Sequence, residues 1–365
     1  MVEVSNASWM HDGSGFFYSA YDAPKAGEDG SITAESLKEA NYFQKLYFHK
    51  LGTPQSDDKL IFARPDDKEL NIYADVTDDG HYLTITQTKG TSPNNELFVL
   101  PLTTLDLAHP EAHLIRLIPT ADATYTPIAN DGGHFWFQTT LDAPNGKVIG
   151  IDLAHPERAA WKTVIPQTRN TLESVSMVDD TLIASYLADA QSRVELHARD
   201  GALIQTLSLP GIGTTNGFTG RRTDRESFFS FTNFTTPNTI YRLDLPTRTI
   251  SVYHQPRLLF NPADFETREV FAISKDGTRI PIFLSYRKGM KQDGVNPTLL
   301  YAYGGFDISL APAFSPSNLL WMEMGGIYAQ ACLRGGGEYG EAWHQAGTVL
   351  HKQNAFDDFI ASTEY

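Results

Sequence analysis

Three stretches late in this 365-residue sequence carry side chains that chemistry uses. Tyr301-Ala302-Tyr303-Gly304-Gly305-Phe306 sets two phenols and a phenyl ring around a pair of glycines. Leu333-Arg334-Gly335-Gly336-Gly337-Glu338-Tyr339-Gly340-Glu341-Ala342-Trp343-His344 gathers an arginine, two glutamates and a histidine around a glycine trio. Lys352-Gln353-Asn354-Ala355-Phe356-Asp357-Asp358-Phe359 follows. Arg334 and Glu338 have the types to clamp a substrate carboxylate, but an internal ion pair bracing the glycine-rich loop is the better reading. The glycine trio has no Gly-Lys-Ser/Thr or Gly-x-Gly-x-x-Gly company, so phosphate binding is rejected. On residue type and position alone, Tyr303 reads as a strand-end aromatic. The single cysteine, Cys332, ends an apolar run over 327–332 and reads as a small buried strand residue, not a reactive thiol. Being alone, it forms no intrachain disulfide. No cluster with metal-ligand spacing is visible, and neither metal nor cofactor is expected.

The elements that must position these residues differ along the chain. Over the first 250 or so residues an Asp-containing turn precedes an aromatic or β-branched run five times. The instances are Asp12-Gly13 before Phe16-Phe17-Tyr18, Asp79-Gly80 before Tyr82-Leu83-Thr84-Ile85, and Asp131-Gly132 before Phe135-Trp136-Phe137. Asp179-Asp180 precedes Leu182-Ile183-Ala184, and Asp224-Arg225, with the glycine lost, precedes Phe228-Phe229-Ser230-Phe231. The leading Asp recurs after 67, 52, 48 and 45 residues. A further strand follows in each unit, at Leu46, Leu97, Val148, Val194 and Ile240. In the first unit it comes late because residues 22–42 read as a polar insertion. Strand–turn–strand units at a period of roughly 40–50 residues are the signature of β-propeller blades. Asp-Gly suits the tight turns because both residues tolerate positive φ.

Near residue 260 the texture changes, which divides the chain into residues 1–258 and 259–365. Two runs around Asp276-Gly277 read as a hairpin. A third strand is expected at 298–303 and a fourth at 327–332, with a short helix over 318–324 between them. A closing helix over 355–365 is expected, with Asn354 as N-cap and Asp357 complementing its first turn. Phe356, Phe359, Ile360 and Thr363 would form its apolar face. A hairpin followed by strands alternating with helices suits the start of an α/β domain.

The net charge of −15 argues against a nucleic-acid or anionic-membrane surface. No apolar stretch approaches the roughly 20 residues needed to span a bilayer. The first residues show neither the basic nor the apolar region of a signal peptide.

In order, spelling and spacing the three motif stretches resemble the opening of the catalytic domain of the prolyl oligopeptidase family of serine peptidases. The resemblance is strong over 264–365 and weaker through the blades. It implies a β-propeller, incomplete at about five of seven blades, followed by the N-terminal part of an α/β-hydrolase domain. It also implies hydrolysis of short peptides after proline through an acyl-enzyme, in a cytoplasmic, monomeric enzyme. By the resemblance Tyr303 is the hydroxyl donor to the oxyanion and Phe306 walls the pocket for the substrate proline. The family's serine sits on a Gly-x-Ser-x-Gly elbow, and no such pattern occurs here; Gly13-Ser14-Gly15 is a hairpin turn. His344, inside the glycine-rich element, is not at the family's catalytic position and reads as a structural hydrogen-bonding residue. The elbow is expected after the closing helix, so this chain by itself is expected to be inactive, and unpaired strands at the gap of an incomplete propeller and in the hydrolase sheet are expected to leave it poorly soluble. The unpaired edge is expected at the fourth hydrolase strand. The alternative is a non-catalytic propeller interaction protein with a vestigial hydrolase half.

Overall fold

The computed structural model describes residues 7–22, 41–291 and 293–365. The insertion read at 22–42 therefore falls, over residues 23–40, outside the described residues. The chain forms two compact units, one of residues 1–141 with 149–163, the other of 142–148 with 164–365.

Five four-stranded sheets follow one another, each with its strands side by side in chain order. The first is built from Ser8–Trp9, Gly15–Ala20, Lys45–Lys50 and Lys59–Ala63. The Asp turns join the first and second strands of each sheet, and the runs read as the next strand are the third. Gly13 and Gly80 supply the positive φ of their turns at 69° and 71°, whereas Asp179 and Asp180 adopt 51° and 53° without glycine. Asp79 shows why Asp leads these turns: its Oδ1 accepts from the His81 N–H at 3.0 Å and from the Thr77 hydroxyl.

Alternation along each strand explains the stacking. In the strand Asn95–Pro101, Leu97 and Val99 enter one core with Phe135, Phe137 and Ile149. Phe98 and Leu100, pointing the other way, enter a second core with Phe17, Leu46, Ile61 and Leu83. A period of two thus feeds both faces of one sheet, and each such side chain removed from water contributes about 1.5–3 kcal/mol. The fourth and fifth sheets repeat the arrangement, with Val194 and Leu196 packed against Phe229, Phe231 and Leu243.

The sixth sheet is different. Phe265–Ile273 and Arg279–Arg287 form the expected hairpin around Ser274 to Thr278. Ile327–Ala331 pairs antiparallel with Arg279–Arg287 on one side and parallel with Thr298–Ala302 on the other. The fourth strand of this segment is therefore interior, which corrects the expectation that it would be the exposed edge. The edges are the third strand, where Leu299 and Tyr301 are exposed, and the hairpin strand Phe265–Ile273. The crossover between these parallel strands carries the helix Pro316–Glu323, which lets the later strand take the inner place. The run Tyr328-Ala329-Gln330-Ala331 is buried throughout, as a strand covered on both faces must be.

The closing helix spans Lys352–Glu364, preceded by a 3₁₀ turn, Val349–His351. Asn354 is not its N-cap: its Nδ2 donates to the Ala346 carbonyl at 2.8 Å from within the helix. Asp357 lies beyond the first turn, and its carboxylate accepts from Gln353. The expected apolar face is also overturned. Phe356 and Ile360 are 57% and 53% exposed, and the buried residues are Ala355, Asp358 and Ser362.

Candidate active site

Tyr303 follows directly on the edge strand, whose last residue, Ala302, is in register with Ala331 of the neighbouring strand. The Tyr-Gly-Gly-Phe turn and the residues after Ala331 thus leave the sheet side by side at its C-terminal edge, where α/β folds place their chemistry. Gly304 has φ 61°, and a Cβ there would stand 2.9 Å from Leu333 Cβ and 3.1 Å from the Arg334 carbonyl. No other residue allows so close an approach of the two motifs. Phe306 and Asp307 continue with φ 55° and 57°, strained values for residues with side chains.

Several contacts hold this turn. The Asp307 N–H donates to the Gly335 carbonyl at 3.2 Å. His344 Nδ1 lies 2.8 Å from the same carbonyl and 3.1 Å from the Asp307 nitrogen. The Lys352 ammonium, from the third motif stretch, donates to the Gly304 carbonyl. All three stretches therefore converge on one turn, and His344 serves it structurally. Lys352 was missed in the sequence because nothing local marks a helix-start lysine as the partner of a distant carbonyl.

Tyr303 and Phe306 project from this braced turn. Tyr303 is 46% exposed and Phe306 83%, with ring centroids 6.4 Å apart. Among the described residues no hydrogen bond is made by the Tyr303 hydroxyl, so it is free to donate.

Arg334 does brace the glycine-rich loop, but its partner is not Glu338. The guanidinium donates to Asp358 Oδ2 and Oδ1 at 3.0 and 2.6 Å, and on its other side to both oxygens of Asp276. The Arg334 backbone N–H adds a bond to Asp358, and Ser274 donates to the same carboxylate at 2.6 Å. The Arg334 guanidinium holds the Asp276 carboxyl well below the usual carboxylate range. Glu338 instead accepts from the Leu310 N–H at 2.8 Å, and burial pushes its carboxyl up to about 7. Cys332 is buried, its thiol pushed up by burial, as the reading of it as an inert strand residue requires. No group of three or more His, Cys, Asp and Glu among the described residues is arranged to hold a metal ion.

Comparison with known families decides what this arrangement belongs to. Residues 1–256 match the model of the prolyl oligopeptidase N-terminal β-propeller domain, and residues 312–365 match that of the prolyl oligopeptidase family. The chain belongs to the prolyl oligopeptidase family. It is 42% identical over 364 residues to a prolyl endopeptidase of Elizabethkingia meningoseptica, covering 100% of this chain and 49% of that protein. It is 34% identical to prolyl oligopeptidase A of Galerina marginata, again across 100% of this chain and 49% of the relative. Among solved structures, prolyl oligopeptidase B of Galerina marginata without ligand superposes with a TM-score of 0.85 at 31% identity, covering 99% of this chain and 50% of that one. A chain from an analysis of two prolyl endopeptidases gives 0.80 at 38% identity, covering 98% and 49%. The chain spans about half the length of the relatives it matches. Both parts of the expected fold, a partial propeller and the start of the family's hydrolase domain, are present.

Proposed function

We propose that this chain supplies the propeller part, residues 1–258, and the opening hydrolase part, residues 259–365, of a proline-specific serine oligopeptidase. In that reading a serine outside these 365 residues attacks the carbonyl carbon of the proline residue, and the amine that follows proline leaves. The carbonyl oxygen gains negative charge as the tetrahedral intermediate forms, and Tyr303 donates its hydroxyl to it. A donor held in place before the charge develops stabilises the transition state more than the ground state. Phe306 offers an apolar wall to the proline ring.

The observation that carries the reading is the Tyr303 hydroxyl, without an internal partner, on a turn that three separate segments brace. A tyrosine serving only packing would bury its ring and find a hydrogen-bond partner for its hydroxyl. The relatives support the class of substrate: Galerina prolyl oligopeptidase B has been solved with a 35mer hydrolysis and macrocyclisation substrate.

The test begins with the coding DNA past codon 365, read for an in-frame Gly-x-Ser-x-Gly. The polypeptide it encodes is then assayed on a short peptide carrying a chromogenic group after proline. Cleavage is expected, with Tyr303→Phe lowering kcat by about 10²–10³-fold and leaving KM nearly unchanged. The 365-residue chain alone is expected to cleave nothing. Full activity in Tyr303→Phe, or cleavage by the chain alone, would overturn the reading.

A further inference from the structure

The turn between the second and third strands of the fourth sheet is Asp189-Ala190, with φ 48° and 60°. Its tip is not at a surface. Ala190 is completely buried in a core shared with Phe265, Phe283, Tyr328 and Cys332 of the hydrolase segment. Around this wedge the polar contacts are carboxylic. The Tyr339 hydroxyl donates to Asp189 Oδ1 at 2.9 Å, and Gln191 Nε2 donates to Glu269 Oε2 at 3.0 Å. Glu269 Oε1 and Glu338 Oε2 are buried oxygens without any hydrogen-bond partner among the described residues, and Glu338 is only 1% exposed.

We propose that Glu269 is a proton-operated latch, closed when it is protonated and loosened when it ionises, that ties the Asp189-Ala190 hairpin tip to the hydrolase segment, with the buried Glu338 as a second proton site within that segment. An ionised carboxylate oxygen buried without a donor is costly, whereas the protonated acid is neutral and tolerates the site. Burial is the main reason both glutamates are pushed up to about 7. The nearby Asp189 carboxyl pushes Glu269 further in the same direction, and Asp307 does so for Glu338. Hydrogen bonds and one cation oppose this, and burial outweighs them. Gln191 and the Arg279 cation favour the charged form of Glu269, and the Arg279 guanidinium is itself stacked 4.0 Å over the Phe271 ring. For Glu338 the Leu310 N–H, its own backbone N–H and the Trp343 indole act the same way, each more than Asp307 acts against them. The buried Cys332 thiol feels both glutamates and stays protonated. Tyr339, also pushed up by burial, stays a hydrogen-bond donor to Asp189.

The sign follows from proton counting. Both glutamates have folded values above the ordinary 4.5, so between about 4.5 and 7 the folded state binds more protons than the unfolded one. The latch is therefore full below that window and is lost as pH rises through neutrality. Loss of Glu269's proton leaves it facing the Asp189 carboxylate, and the like charges drive the hairpin tip off the strand.

This inference is independent of the peptidase reading, because its test needs no activity. Amide hydrogen exchange of the hairpin around Asp189 is measured on the 365-residue chain at pH 5.5 and 8, corrected for base catalysis. Protection is expected to fall at least about tenfold at the higher pH, the change that one unit of coupled titration produces. The Glu269→Gln/Glu338→Gln double variant, which mimics the protonated acids, is expected to keep its protection within about twofold across the range. Unchanged protection in the unsubstituted chain, or an undiminished fall in the double variant, would refute the latch. Should the variant not fold, the infrared carbonyl band of protonated carboxylic acid decides on the unsubstituted chain. Its persistence at pH 6.5 supports the latch, and its absence there refutes it.

Discussion

At the scale of single residues, Arg334 satisfies inwardly the geometry that a substrate carboxylate would otherwise satisfy. Its fork faces the carboxylate of Asp358, which is 0% exposed, and the half-exposed carboxylate of Asp276. Removing the cation strands Asp358 as an unpaired buried charge, so Arg334→Met is expected to cost about 3–5 kcal/mol, measured by chemical denaturation. A loss below about 1 kcal/mol would mean the network is dispensable. The depressed Asp276 carboxyl adds stability that is present above its ordinary value of 3.8 and lost as pH falls through its lower folded value. That an arginine braces the glycine-rich loop was legible from its place beside the glycine trio. Its partners were not, because Asp276 and Asp358 are far from it along the chain and Glu338 is near. Proximity in sequence pointed to the wrong carboxylate.

Elements teach a related lesson in the closing helix. Phe356, Phe359, Ile360 and Thr363 have helical spacing and read as the buried stripe, yet the helix turns Ala355, Asp358 and Ser362 inward. One buried ion pair outweighs the apolar stripe, since Asp358 must meet Arg334 to be desolvated at tolerable cost. Substituting Phe356 and Ile360 singly by serine is accordingly expected to change the stability of this chain by less than about 0.5 kcal/mol each. Losses of 3 kcal/mol or more, typical of buried phenylalanine truncation, would restore the original face. Melting curves of the two variants make the comparison. The strands were more legible than the helix, because an apolar side chain at every second position in runs such as Leu83-Thr84-Ile85 has few other interpretations.

Across the whole molecule, composition speaks most plainly. With a net charge of −15 the surface carries an excess of carboxylates, and a polyanion gains no counterion release by binding it. No mobility shift of a duplex DNA probe is expected at physiological ionic strength, and a salt-sensitive shift would contradict that. The repeat of Asp turns also carried the number of blade-like sheets, which the structure bears out as five among the described residues. No helix among those residues is long and apolar enough to cross a membrane.

What this sequence determined by itself were properties set within a few residues of one another. Alternation made the strands, Asp and Gly made the turns, and the motif spellings marked the family. Tertiary structure decided which strand lies inside the hydrolase sheet, which carboxylates receive Arg334, and why Gly304, His344 and Lys352 share one turn. Those outcomes depend on groups brought together from far along the chain. Their desolvation and close packing have no energy until the fold exists, and so leave no local pattern to read.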